Sequence, residues 1–272
     1  MIKPLQGANA ILTGGSQGLG PLFARALAER GVNVALAARS ADKLQAAAAA
    51  LAGLPGRVVP IAADVTAAAD RARLAAEAEA ALGPIDVLIN NAGVEINSRF
   101  ERKTAAEIDQ IIGTNVTAPM QLTRLILPGL LARRRGHVIN LASLAGKLGT
   151  PYGSVYGASK AAVLAWSWAL RVELEGTGVS VSTVSPGFVT ETGLFAYHRS
   201  TAHPLLGASP PEAVVRGLLQ ALEQDAVDVV VAARPFWLFQ TLNVFSPSLV
   251  MWLNQITGVR TFLKRIYDKE PS

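Results

Sequence analysis

Short runs of β-branched and other apolar residues alternate along the chain with longer Ala- and Leu-rich stretches. The runs cover residues 8–13, 32–37, 58–63, 85–90, 138–141, 179–184 and 227–232. Most are apolar at successive rather than alternate positions, which suits strands buried on both faces of a parallel sheet. The stretches between them predict helices over residues 18–30, 41–51, 67–82, 105–134, 155–175 and 210–224, with residues 115–119 interrupting the fourth. Thr104 with Glu107, and Ser209 with Glu212, have capping-box spacing, and Pro210 then falls at the first helical position. Strands alternating with helices predict an α/β fold: a doubly wound, parallel sheet of about seven strands with helices on both faces and right-handed crossovers. No Pro/Gly/Ser linker divides the 272 residues, and the alanine run at 46–50 continues a helix, so one domain is expected.

Composition narrows the function classes. Half the residues are hydrophobic and 17% are charged, which excludes wholesale disorder. The net charge of +5 comes from scattered basic residues, apart from Arg133-Arg134-Arg135 at a helix end where the dipole favours them, so no nucleic-acid partner is expected. With no cysteine there is no disulfide or thiolate chemistry. His137, His198 and His203 lack the paired spacing of a metal motif, so no metal is expected. His137 enters a strand; the other two lie in a loop near the presumed cleft. Residues 1–7 carry no apolar signal stretch, so the expected location is cytoplasmic.

The candidate chemistry begins after the first strand, at Thr13-Gly14-Gly15-Ser16-Gln17-Gly18-Leu19-Gly20. Glycines let a backbone turn tightly and approach a pyrophosphate, whose charge meets free N–H groups at the following helix N-terminus. Pro21 just inside the helix is compatible with that start. Asn90-Asn91-Ala92-Gly93 follows strand four, and Ser143 follows strand five. Tyr156-Gly157-Ala158-Ser159-Lys160 opens a helix, and Pro186-Gly187 follows strand six. Tyr156 and Lys160 are four apart on a helix, hence on one face. Ketone reduction needs hydride on carbon and a proton on oxygen, and a cation near a tyrosine lowers the phenol pKa toward the range where it exchanges a proton.

This ordered set, with the Gly-x-x-x-Gly-x-Gly spacing of Gly14, Gly18 and Gly20, resembles the short-chain dehydrogenase/reductase (SDR) family over about residues 5–233. The resemblance implies a Rossmann-type catalytic domain spanning the chain. It also implies an NADP(H)-dependent oxidoreductase interconverting a ketone and a secondary alcohol. In that frame Tyr156 is the general acid/base, Lys160 lowers its pKa and binds the nicotinamide ribose, and Ser143 holds the substrate oxygen. Asn115 interrupts its helix and helps place a water in a proton relay. Ser16, Gln17 and Leu19 complete the phosphate turn. Asp64 and Val65 contact adenine, although Asp64 is equally read as a carboxylate at a helix start. Asn91, Ala92 and Gly93 support the adenine-ribose side, and Pro186, Gly187, Val189 and Thr190 the nicotinamide; Thr190 could equally be a turn hydroxyl, with Thr192 its rival. Ser154 and Ser159, rivals of Ser143, read better as helix-entry or solvated hydroxyls. NAD-preferring relatives place an acid at the end of strand two. Here Ala38 stands there, followed by Arg39 and Lys43, which favour a 2′-phosphate and hence NADP(H).

Residues 188–209 stand where the family has its substrate lid. They include Phe195, Tyr197, His198, Leu205 and Leu206, which points to a lipophilic substrate. After strand seven, residues 234–272 form a hydrophobic extension, whose stretch from Phe236 to Leu253 is expected as two short amphipathic helices because Pro247 and the polar residues exclude a spanning helix. It has three readings: a cap over the cleft, a subunit interface, or a peripheral membrane contact with Trp237 and Trp252 at headgroup level. The first two are preferred. Tyr152 lines the cleft or packs, and Trp166 and Trp168 on the catalytic helix read as packing or subunit contacts. The family often dimerises through that helix, so a homodimer or homotetramer is expected. Within the family the turn, the Arg39/Lys43 pair and the tail loosely resemble 3-ketodihydrosphingosine reductases; steroid, xenobiotic and acyl-carrier-protein-dependent carbonyl reductases remain open. The competing class is a non-catalytic NADP-binding regulator or membrane-peripheral scaffold on the same fold.

Overall fold

The computed structural model describes residues 4–191 and 203–267. Its sheet contains β1 (Asn9–Thr13), β2 (Asn33–Ala38), β3 (Val58–Ala62), β4 (Val87–Asn90), β5 (Gly136–Leu141), β6 (Val179–Pro186) and β7 (Asp228–Val231). They lie in the order β3-β2-β1-β4-β5-β6-β7, every neighbouring pair parallel. Strands β1, β4, β5 and β6 are buried at every position, as the continuous apolar runs require. Successive residues then face opposite layers. Ala10 and Leu12 join Phe23, Leu27, Val214 and Leu218 on one side, whereas Ile11 joins Leu74, Leu122, Ile126 and Leu170 on the other.

The first layer holds α1 (Gly20–Ala28), α2 (Ala41–Ala49) and α7 (Pro211–Gln224); the second holds α3 (Ala68–Leu82), α5 (Ala118–Ala132) and α6 (Ser154–Glu173). Helix α1 starts at Gly20 rather than at residue 18, because Gly18 has a φ of 63°, outside the helical region. The expected interruption of the fourth helix is present. Helix α4 (Ala105–Ile112) gives way to a π-turn over Gly113–Thr117 before α5 begins. Thr104 and Glu107 form the expected capping box, with hydrogen bonds of 3.2 and 2.7 Å. Ser209 and Glu212 do not. The Ser209 N–H donates to Phe188 O at 2.8 Å, in a bridge between Val189 and Ser209 that holds the serine buried and out of helical geometry. Helix α7 therefore starts at Pro211, with Pro210 as its cap.

The C-terminal segment forms the two short helices expected over residues 236–253, α8 (Phe236–Phe245) and α9 (Pro247–Ile256), and a third, α10 (Val259–Tyr267), follows. Gly258, at a φ of 77°, separates the last pair. The inner face of α10, Val259, Phe262, Leu263 and Ile266, is buried against Tyr152, Phe188 and Leu206. Tyr152 is thus a packing residue.

His137 lies fully buried in β5, with Nε2 2.8 Å from Ser182 Oγ. Burial lowers its pKa from 6.5 to about 4, despite the Asp225 carboxylate nearby. The unfolded chain therefore binds this proton more readily, and the associated stability is complete above about 6.5 and lost as pH falls toward about 4. The thermal midpoint is expected to drop through that window, and less steeply in His137→Gln. Parallel pH profiles for the two proteins would refute the assignment.

Candidate active site

The turn after β1 leaves no room for side chains at two of its glycines. Gly14 has a φ of 69°, and a Cβ there would stand 2.8 Å from Asn91 Nδ2 and 2.9 Å from Ala92 Cα. A Cβ on Gly20 would come within 2.1 Å of Gly14 O. Asn91 Nδ2 donates to Thr13 O (2.9 Å) and Gly14 O (3.1 Å), while Thr13 Oγ1 accepts from the N–H groups of Asn91 (3.1 Å) and Ala92 (3.0 Å). Strands β1 and β4 are sheet neighbours whose outgoing chains turn to opposite layers, and these bonds lock the two loops at that crevice. Leu19 caps α1 without a side-chain hydrogen bond, so no side chain competes with an anion for the first N–H groups. The close backbone approach, uncapped helix start and nearby cations together fit a dinucleotide pyrophosphate.

A cleft of about 1060 Å³ runs from this turn along the carboxyl ends of the strands. Gly14, Ser16, Gln17, Gly18 and Leu19 line one part, with Arg39, Lys43, Asp64 and Val65 beyond. Asn91, Ala92 and Gly93 lie between, and Ser143, Tyr156, Lys160, Pro186, Gly187 and Val189 line the rest. Gly20, Asn115 and Thr190 stand just outside the lining. Gly20 serves the turn, and the Thr190 N–H donates to Ser209 O at 3.0 Å. Thr192, Phe195, Tyr197 and His198 lie outside the described residues. Asp64 does not take up a place inside α3. Its Oδ1 accepts from the Thr66 N–H (2.9 Å) and hydroxyl (2.7 Å), and Asp70 is the carboxylate in the first turn of α3.

Tyr156 and Lys160 share the inner face of α6. The Ser143 hydroxyl, on the turn after β5, is hydrogen-bonded to the Tyr156 phenol. That turn is pinned by Lys147, whose Nζ is 2.6 Å from Asp228 Oδ2 beneath Trp168. Lys160 Nζ donates to Leu141 O at 2.7 Å and stands 5.8 Å from the Tyr156 ring centroid. Burial holds the phenol well above its ordinary range, the Glu95 charge pushes it the same way, and the Ser143 bond opposes both. This is the reverse of the lowering that a lysine alone would produce. Burial also brings Lys160 down to about 8, against the attraction of Glu95.

Asn115 occupies the π-turn and is buried. Its Oδ1 accepts from the Val94 N–H (2.8 Å), while Nδ2 donates to Val94 O (2.9 Å) and Ser159 Oγ (3.0 Å). Ser159 Oγ donates in turn to Tyr156 O at 2.7 Å. Ser159 is therefore a fully buried link in the site, not the solvated hydroxyl expected for it, whereas Ser154 is exposed at the start of α6.

Two cleft residues escape the motif reading. Glu95 lies two positions beyond Gly93, hydrogen-bonded to Asn97 and to the Tyr267 hydroxyl at the end of α10. Burial raises its pKa, and these bonds and Lys160 work against the rise. An acid between Val94 and Ile96 was the only available signal for Glu95; nothing local marks Tyr267. Phe236, Phe239, Asn254 and Leu263 also line the cleft, so the tail forms part of its wall, in keeping with the cap reading.

A nucleotide cradle beside Ser143, Tyr156 and the buried Lys160 defines a nicotinamide-dependent oxidoreductase. The short chain dehydrogenase family model matches residues 8–203, and the chain belongs to that family. It is 42% identical over 231 residues to the ketoacyl reductase HetN of Nostoc sp., covering 85% of this chain and 80% of that one. An uncharacterized oxidoreductase of Staphylococcus aureus is 35% identical over 215 residues, covering 79% and 90%. Among solved structures, an SDR from Burkholderia phymatum in complex with NAD superposes with a TM-score of 0.80 at 26% identity, covering 92% and 96%. A metagenomic short-chain oxidoreductase in complex with NADP gives 0.70 at 32%, covering 83% and 97%.

Asn115→Ala removes three hydrogen bonds from a buried position. A loss of about 3 kcal/mol is expected in urea unfolding, and an unchanged midpoint would show that the amide does not hold the site together.

Proposed function

We propose that the protein is an NADP(H)-dependent reductase of lipophilic ketones, with 3-oxoacyl compounds the leading substrate class and Tyr156 the general acid. The observation that carries this reading is the Tyr156 phenol, hydrogen-bonded to Ser143 on the same helix face as Lys160, inside a cleft that also holds a phosphate-binding turn. Bound NADPH would supply the hydride. The chain's residues supply everything else. Ser143 donates to the substrate oxygen and orients the carbonyl. Tyr156, kept protonated by burial, gives its proton to that oxygen as negative charge develops there. The Lys160 ammonium stabilises the phenolate left behind. In oxidation the same phenolate accepts the proton.

Arg39 and Lys43 support the choice of NADP(H), since both reach the cleft where β2 ends and no acid stands at Ala38 to receive a ribose 2′-hydroxyl. Leu144, Leu148, Phe188, Leu206, Phe239 and Leu263 support a lipophilic substrate, and the likeness to the ketoacyl reductase HetN supports the ketoacyl class. Trp168 and Val172, 40% and 64% exposed on α6, support assembly into a dimer or tetramer through that helix. Sedimentation as a monomer at micromolar concentration would rule that out. A cytoplasmic enzyme fits these features. The rival, a non-catalytic NADP-binding regulator, has no use for the intact Ser143, Tyr156 and Lys160.

A panel of ketones with NADPH, followed by loss of nicotinamide absorbance, tests the activity directly. Tyr156→Phe is expected to lower kcat by about 10³-fold. The reduction rate of the native protein should fall as pH rises through about 8, where Lys160 gives up its proton. Turnover unaffected by Tyr156→Phe would remove Tyr156 as the acid, and no turnover of any ketone would leave the regulator reading standing. Arg39→Asp should shift the coenzyme preference toward NAD by about ten- to a hundred-fold, the worth of a charge-assisted hydrogen bond. An unchanged ratio of kcat/KM for NADPH and NADH would remove Arg39 from the 2′-phosphate site.

A further inference from the structure

Helix α8 is apolar on most of its surface, and one of its apolar faces meets water. Trp237, Leu238, Thr241, Val244 and Phe245 recur at the spacing of a single helical stripe and are all exposed. The four apolar members are 68%, 56%, 73% and 83% accessible in that order. The polar Gln240 and Asn243 are the less exposed ones. Helix α9 repeats the exposure. Leu249, Met251, Trp252 and Ile256 are exposed, whereas Val250 is buried and Asn254 lines the cleft. Helix α10 has the ordinary sense, with Val259, Phe262, Leu263 and Ile266 buried and Arg260, Lys264 and Arg265 exposed. The exposed apolar face is therefore a property of the α8–α9 hairpin and not of the tail as a whole. An apolar surface of this kind marks an interaction site.

We propose that this hairpin seats the protein on the surface of an anionic lipid bilayer, bringing the mouth of the cleft against the lipid. Charge selects the bilayer over a second copy of the chain. Residues 234–272 carry Arg234, Arg260, Lys264, Arg265 and Lys269 against Asp268 and Glu270, while the hairpin itself has no charged residue. Pairing two copies would bring like-charged tails together, whereas lipid phosphates and carboxylates neutralise the excess. Trp237 and Trp252 suit the headgroup zone, with an apolar ring and a polar N–H. The hairpin lies on the membrane and does not cross it. Each helix has ten residues, a length of about 15 Å against a hydrocarbon core of about 30 Å. Among the described residues no helix is long and apolar enough to span. Phe236, Phe239 and Asn254 line the cleft from these same two helices, so a docked hairpin places the cleft entrance beside the acyl chains. The docking itself does not depend on the reductase reading.

Flotation of the full chain with vesicles tests it without any substrate. Co-flotation is expected with phosphatidylcholine vesicles containing one third phosphatidylserine. At least ten-fold less protein should float with pure phosphatidylcholine or in high salt. The triple variant Trp237→Gln/Phe245→Gln/Trp252→Gln, whose positions lie outside the cleft lining, should lose the flotation while retaining turnover of a water-soluble ketone. Brominated lipid should quench the tryptophan fluorescence of the native protein, and less so in the triple variant. Native protein that stays with the soluble fraction at every lipid composition would overturn the proposal. So would a triple variant that still floats but converts an oligomer to a monomer, since the hairpin would then be a subunit interface.

Discussion

The side chain of Asn115 joins two segments that the chain otherwise keeps apart. Its amide is satisfied by both backbone groups of Val94, on the loop after β4, and by Ser159 on the catalytic helix. The loop after β4 carries Gly93 and Glu95 into the cleft, and α6 carries Tyr156 and Lys160. A Cβ on Gly93 would lie 3.4 Å from Asn115 Oδ1 and 3.6 Å from Lys160 Nζ, so loop, amide and ammonium are packed as one unit. The π-turn over Gly113–Thr117 accompanies this arrangement, and such turns recur at functional sites. The cross-link thus ties the loop after β4 to the helix that carries Tyr156 and Lys160.

Within the site, burial outweighs charge. Tyr156 is pushed up by desolvation first and by Glu95 second, while Lys160 is drawn down by desolvation despite Glu95. A phenol held above its usual range stays protonated and gives up its proton less readily, while an ammonium 5.8 Å from the ring favours the phenolate. Lys147 and Asp228 act from behind. Their contact fixes the turn bearing Ser143 against β7, and the Thr183 and Ser185 hydroxyls hold the same carboxylate at 2.8 and 2.9 Å.

The C-terminal helices divide their duties by amphipathic sense. Helix α10 turns its apolar face inward and ends at Tyr267, whose hydroxyl meets Glu95 beside the catalytic pair. Helices α8 and α9 wall the cleft with Phe236, Phe239 and Asn254 and direct most of their large apolar side chains outward. One short extension thus forms part of the cleft wall and carries an exposed apolar surface.

The apolar runs by themselves determined the seven strands, the two helical layers and the interruption near Asn115, because burial on both faces leaves an unbroken local signal. Ordered motifs likewise located the turn, Ser143, Tyr156 and Lys160, since backbone geometry and helical spacing are local properties. Ser159, Glu95 and Tyr267 could not be found that way. Their significance rests on partners far along the chain, and a serine in a helix or an acid in a loop has the same local pattern whether solvated or buried. The Ser209 cap failed for the same reason, because its backbone is committed to Val189. Only the folded chain decided which side of α8 and α9 meets water, since periodicity identifies an apolar stripe but not the direction in which it points.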